Sequence, residues 1–308
     1  MKNVLTVENV TKTYGNFTAL NKVSIAIPKG SVFGLLGPNG AGKTSLIRII
    51  NQITLPDSGT IYLDGKPLQL NHIQDIGYLP EERGLYKSMK VGEQAIYLAQ
   101  LKGMSKQEAK KKLQMWFEKF GINDWWNKKI QELSKGMAQK VQFIVTVMHE
   151  PKLLIFDEPF SGFDPVNANL IKDEILKLRD NGASIIFSTH RMESVEEMCD
   201  YIALIDKSNK ILDGKLSDIK HQFKENKFEV GLISDNKNIF NEVQEKFKVT
   251  NLNTNTENNE YKMVVTLNNN DTTKDLIKYL NSKAQINHFS EIIPSANDIF
   301  LKSVTNHE

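Results

Sequence analysis

The sequence predicts an α/β chain: a parallel-sheet core with an antiparallel flank and a helical insert, followed by a small α+β module. Three observations predict it. Short apolar runs at 32–36, 153–156 and 183–187 end in glycine, acidic or hydroxyl residues, as strands buried in a parallel sheet do. Residues 88–150, between the first two runs, read as helical. From about Phe223 onward Asn and Lys become frequent, Gly almost vanishes, and the element patterns follow the order β-α-β-β-α-β.

At the amino end, residues 3–30 and 60–70 carry alternating, β-branched segments typical of antiparallel strands, which would form a side sheet. The strand at 32–36 runs into Gly37-Pro38-Asn39-Gly40-Ala41-Gly42-Lys43-Thr44, and a helix opens with Ser45-Leu46-Ile47. Strand, glycine-rich loop, Lys-Thr and helix make a phosphate-binding loop. The glycines let successive N–H groups turn inward around a phosphate, and the helix N-terminus adds unsatisfied donors and partial positive charge. Lys43 can reach the outer phosphates and the Thr44 hydroxyl can ligate magnesium. A glycine-rich turn can also be only a turn; strand and helix on either side favour binding of a nucleoside triphosphate.

In the helical region Ser105 to Glu108 reads as a capping box before a helix with Leu113, Trp116, Phe117 and Phe120 on one face. Trp125 and Trp126 read as packing residues. Leu133-Ser134-Lys135-Gly136 opens a further helix whose apolar positions Met137, Val141, Ile144, Val145 and Met148 share one face, with Pro151 past its end. Ser134 is either a plain N-cap or part of a second helix N-terminus that grips a γ-phosphate.

The run at 153–156 ends in Asp157-Glu158-Pro159, at the strand edge where ligands sit in open α/β sheets. An Asp-Glu pair alone is most often a polar turn. With a phosphate-binding loop in the same chain, Asp157 can hold magnesium through water, and Glu158 can orient and deprotonate an attacking water. Ser161-Gly162-Phe163-Asp164-Pro165 follows directly, and a strand at 183–189 ends in His190. A lone strand-end His is usually structural; on this edge a γ-phosphate contact is the alternative. Cys199, the single cysteine, falls in a helix over 192–199 and reads as a core residue.

In the last segment, strands are expected over 228–233, 249–253, 261–267 and 286–293, and helices over 238–247, 272–283 and 296–304. Residues 253–260 read as a polar hairpin tip. The order fits a split-βαβ, ferredoxin-like module. The whole chain, 308 residues with a formal net charge of +2, suits two domains and carries no field that favours nucleic acid. No apolar run approaches the roughly 20 residues that span a bilayer. The amino end lacks a signal-peptide pattern, so a cytoplasmic place is expected.

Taken in order, the phosphate-binding loop, the Glu81 loop, the Leu-Ser-x-Gly helix, the Asp-Glu strand, the Ser-Gly-Phe-Asp turn and the strand-end His resemble the ATP-binding subunit of ABC transporters, over about residues 2–220. The resemblance implies a P-loop NTPase domain over 1–222, a RecA-like core with an antiparallel β subdomain and a helical subdomain. Residues 223–308 are then an accessory domain for dimerisation or regulation. It implies that Tyr14 stacks on adenine and that two copies pack head to tail around two ATP molecules. Each ATP would lie between Gly37–Ser45 of one copy and Ser134–Gly136 of the other. Lys43, Glu158 as general base and His190 would act on it, with magnesium held by Thr44, Asp157 and Glu81, and Asp164 would join the two sites. A separately encoded permease would dock in a groove near Tyr86, placing the chain on the inner face of the cell membrane.

The chain departs from the family where Glu81 replaces the usual Gln, which adds negative charge beside a polyphosphate and is expected to lower turnover or make it more dependent on metal. Lys135 and Met137 replace the usual Gly and Gln. Residues 80–86 together with Leu133-Ser134-Lys135-Gly136 resemble the NatA/YhaQ-like branch, bacterial exporter ATPases linked to sodium or drug extrusion. The alternatives are an importer ATPase with a solute-sensing C-terminal domain and a non-transport ABC ATPase.

Overall fold

The computed structural model describes residues 2–81, 84–255, 259–268 and 271–305. Glu82 and Arg83 of the loop after Glu81, and the centre of the hairpin expected over 253–260, lie outside the described residues. The chain divides into two compact units, Met1–Leu216 with Phe300–Glu308, and Ser217–Ile299.

In chain order the first unit holds β1 (Asn3–Tyr14), β2 (Phe17–Pro28), β3 (Val32–Leu36), α1 (Lys43–Ile50), β4 (Ser58–Leu63), β5 (Lys66–Pro67), β6 (Ile76–Leu79), α2 (Val91–Leu101), α3 (Lys106–Lys119), α4 (Lys135–Val147), β7 (Leu153–Asp157), α5 (Pro165–Asp180), β8 (Ser184–Ser188), α6 (Met192–Met198), β9 (Tyr201–Asp206) and β10 (Asn209–Lys215). These strands form an antiparallel sheet in the order β2-β1-β4-β5 and a six-stranded sheet in the order β10-β9-β3-β8-β7-β6. In the second sheet β9, β3, β8, β7 and β6 run parallel, and β10 is an antiparallel edge. β3, β7 and β8 are buried at every position, so they read as continuous apolar runs rather than alternating ones. One apolar core joins the two sheets through Leu46, Ile47, Ile49 and Ile50 of α1.

The helical insert departs from its sequence reading in one respect. α4 is not buried on its apolar face only: Ala138, Gln139 and every residue from Val141 to Met148 are buried, with Lys140 partly so. Phe143 stacks on Phe156 of β7, 5.7 Å between centroids, and Trp116 of α3 meets it edge-on. The helix therefore runs between other elements rather than over a surface. α6 ends one residue before Cys199, whose buried thiol is pushed up by desolvation. At the start of α3 Ser105 accepts from the Glu108 amide at 3.2 Å, the first arm of the expected capping box. Glu174 of α5, almost buried, takes ion pairs from Lys119 of α3 and Lys177, which ties the insert to the core.

Phe117 of α3 is 1% exposed and meets Trp126 edge-on at 5.6 Å. Phe117→Ala is expected to cost about 3–5 kcal/mol, seen as a lower midpoint in thermal unfolding. A parent-like midpoint would show that the insert does not depend on this contact.

α7 (Leu216–Gln222) leads to β11 (Lys227–Ile233), α8 (Ile239–Lys246), β12 (Lys248–Asn255), β13 (Glu260–Thr266), α9 (Thr273–Lys283), β14 (Gln285–Glu291) and α10 (Ala296–Thr305). The strands of the second unit pair antiparallel in the order β12-β13-β11-β14, the ferredoxin-like arrangement. Alternate residues Phe228, Val230, Leu232 and Tyr261, Met263, Val265 point to one face. There they meet Ile239 and Val243 of α8 and Leu276 and Leu280 of α9, pairs spaced four apart as a helix face requires. Thr272 caps α9 with a reciprocal capping box to Asp275.

Candidate active site

Sheet order assembles the site. β3, β8, β7 and β6 are neighbours and parallel, so the segments that leave their carboxyl ends lie side by side: the glycine-rich loop, Ser188 to His190, Asp157–Glu158, and Glu81. They line a cavity of about 290 Å³ with Phe17, Ala19, Asn39, Gly40, Gly42, Lys43, Thr44, Ser45, Glu81, Asp157, Glu158, Ser188 and His190 on its walls.

The loop needs its glycines where backbone comes closest. Gly37 has φ +147° and Gly42 +117°; a Cβ would sit 2.1 Å from the Ile205 carbonyl at the first and 2.2 Å from the Ala19 carbonyl at the second. Gly42 caps α1 without a side-chain hydrogen bond, and the first turn holds no carboxylate, so its amides remain for an anion. Lys43 Nζ donates to the carbonyls of Gly37 at 2.6 Å and Pro38 at 3.0 Å, folding the ammonium over the loop. Burial holds its pKa below the ordinary lysine value, against the pull of Asp157, Glu158 and Glu81.

Burial pushes the Asp157 carboxyl up, and a hydrogen bond from Ser188 opposes it. Burial, then the Asp157 charge, raises Tyr78 on β6 to about 12. Glu158 adopts φ +49°, a left-handed backbone that costs a glutamate on the order of 1–3 kcal/mol. Its amide donates to the Ser188 carbonyl at 2.9 Å, and its carboxylate turns to the end of β8. Oε1 accepts from the His190 amide at 2.8 Å and lies 2.7 Å from His190 Nδ1; Oε2 accepts from the Thr189 hydroxyl at 3.1 Å. The His190 side chain is 74% exposed and Glu158 14%, so both can meet a ligand in the cavity.

The oxygen donors Thr44, Asp157 and Glu81 share this cavity and suit a hard cation. Among the described residues no group of three or more His, Cys, Asp and Glu side chains forms a metal cage. Magnesium is usually held by one or two carboxylates, phosphates and water.

Four predicted residues, Ser134, Gly136, Asp164 and Tyr14, lie elsewhere in the unit. Ser134 is exposed and caps α4 by accepting from the Met137 amide at 3.3 Å. Gly136 faces Gly162 and Phe163, with the Lys135 stem packed against Gly162. Neither Ser134 nor Gly136 lines the cavity of its own copy. Asp164 caps α5 through the Asn167 amide at 3.0 Å. Tyr14 is half exposed with Lys12 Nζ 5.5 Å over its ring, and it pairs across the β1–β2 hairpin with Phe17. Phe17, with Ala19, is the residue that reaches the cavity; its only signal in the sequence was an aromatic beside the Gly15-Asn16 turn. A second cavity, of about 610 Å³, continues past Phe17 along Pro38–Ala41 to Asp206–Asn209.

The parallel sheet, the glycine-rich loop at its edge and the carboxylates beside it define a P-loop ATPase. The chain belongs to the ABC transporter family: residues 20–161 match the family model described as ABC transporter, and residues 214–304 match that of the ATP-binding protein DrrA1-3-like, C-terminal domain. It is 50% identical to the ABC transporter ATP-binding protein YhaQ of Bacillus subtilis, over 71% of this chain and 74% of that one. The linearmycin resistance ATP-binding protein LnrL of the same organism is 36% identical over 70% of each chain. A solved structure of an ATP-binding subunit of an ABC transporter superposes with a TM-score of 0.68 at 29% identity, covering 71% of this chain and 93% of that one. The chain is thus an ATP-binding subunit of an ABC transporter, an ATPase whose hydrolysis is coupled to transport.

Proposed function

We propose that the chain energises an exporter by ATP-driven dimerisation on a separate membrane permease. The observation that carries the catalytic part is the Glu158–His190 pair facing Lys43 and Thr44 across one cavity. A bound ATP would lay its phosphates on Gly37–Ser45, with Lys43 exchanging the Gly37 and Pro38 carbonyls for phosphate oxygens. Glu158 takes the proton of the attacking water as the bond to the γ-phosphorus forms and the bond to ADP breaks, and His190 holds the γ-phosphate. Thr44, Asp157 and Glu81 would hold magnesium, which supplies charge neutralisation on the phosphates.

Dimerisation gives Ser134 and Gly136 a role. They stand at an exposed helix N-terminus away from their own cavity, which suits an ATP delivered by a second copy. Asp164 would join the two sites. In this reading the ATP-binding domain spans 1–222 and the accessory domain 223–308; the compact units part nearby, after Leu216.

Export is supported by the likeness to LnrL, whose name marks it as a linearmycin resistance ATP-binding protein. Among the described residues no helix is long and apolar enough to cross a membrane; in this reading the spanning part is a separate permease, with the chain peripheral to it on the inner face. Tyr86, Tyr97 and Leu101 are exposed apolar side chains of the helical part, available to such a partner. Sedimentation of the Glu158→Gln chain tests the sandwich. A dimer with ATP and magnesium and a monomer with ADP are expected; a monomer under both conditions would contradict it.

A further inference from the structure

β7 and β8 end in matching pairs. Asp157 and Glu158 leave β7; Ser188 and Thr189, each 1% exposed, leave β8, and Asp157 stands opposite Ser188 in the parallel register. Ser188 hydrogen-bonds Asp157, and Thr189 hydrogen-bonds Glu158 at 3.1 Å, so each carboxylate has its own hydroxyl. The direction of the second bond is set by its surroundings. Thr189 Oγ1 accepts from the Arg191 amide at 3.1 Å, and an ionised carboxylate has no proton to give, so the single hydroxyl proton goes to Glu158 Oε2. The His190 contacts act on Oε1 alone. Contacts to both oxygens fix the plane of a carboxylate, and of these three Thr189 is the one on Oε2. Glu158 carries this side chain on a left-handed backbone, φ +49°, a conformation that persists where its surroundings fix it.

We propose that Thr189 is a positioning residue for hydrolysis: its hydroxyl holds Glu158 in the rotation that presents Oε2 to the attacking water. This rests on Glu158 being the general base. Thr189→Val keeps shape and removes the donor. It is expected to lower kcat on the order of 10-fold, the size of one net hydrogen bond, and to leave KM and the affinity for a fluorescent ATP analogue within about twofold. Thr189→Ser, which restores the hydroxyl, is expected to recover kcat. In a Glu158→Gln background the valine change is expected to alter residual turnover less than about twofold, because the group it serves is gone. If valine prevents folding, Thr189→Ala carries the same test. Parent-like kcat in the valine variant, a loss that serine does not recover, or a rise in KM in step with the loss would overturn the inference. Parent-like turnover in Glu158→Gln alone would instead remove the reading on which it rests.

Discussion

Glu158→Gln stops steady-state ATP hydrolysis, with an expected loss on the order of 10²–10⁴-fold, while ATP still binds. The substitution keeps shape and volume and removes basicity. Oε1 meets a donor in the His190 amide, so the amide oxygen of glutamine takes that place and its NH₂ group falls at Oε2, beside the Thr189 hydroxyl. The hydroxyl can turn to accept, so the loop keeps its form. What is lost is the group that takes the proton from water. Steady-state phosphate release measures the loss, and equilibrium binding of a fluorescent ATP analogue shows that the site persists. Turnover near the parent's would show that the base lies elsewhere.

Lys43→Met weakens ATP binding by about 10- to 100-fold, the equivalent of the ~1.5–3 kcal/mol of a charge-assisted hydrogen bond. Met preserves most of the stem and removes the charge. Without nucleotide Lys43 is held by the Gly37 and Pro38 carbonyls and stands among Asp157, Glu158 and Glu81. Without its ammonium those three carboxylates face the incoming triphosphate with one cation fewer, so the repulsion adds to the lost contact. Titration with the same ATP analogue gives the shift; an unchanged affinity would show that the ammonium does not reach the phosphates.

Much of this arrangement was legible in the sequence, for physical reasons. Strands buried on both faces must be apolar throughout, so β3, β7 and β8 and the polar residues that end them could be read directly. Parallel order then places those ends together. The second unit was equally clear, because its strands alternate and its helices repeat at four-residue spacing.

Other features left weaker marks. Nothing in the identity of Glu158 signals a left-handed backbone, yet that turn swings its carboxylate to Thr189 and His190. Tyr14 and Phe17 face each other across a two-residue turn, so alternation could not say which one reaches the loop. α4 read as amphipathic because Gln139, Gln142 and Thr146 interrupt its apolar pattern, although all three are buried. The folding of Lys43 onto its own loop depends on backbone carbonyls, which are present at every position and mark none.

The role proposed for this ATPase is to drive export through a separate permease. Gentle purification of the full chain from the membranes of its own cell, with mass-spectrometric identification of what accompanies it, tests that role most directly. A multi-span permease and no solute-binding protein are expected. Recovery with a solute-binding protein would contradict export, and recovery with ribosomes or nucleic acid and no permease would contradict transport altogether.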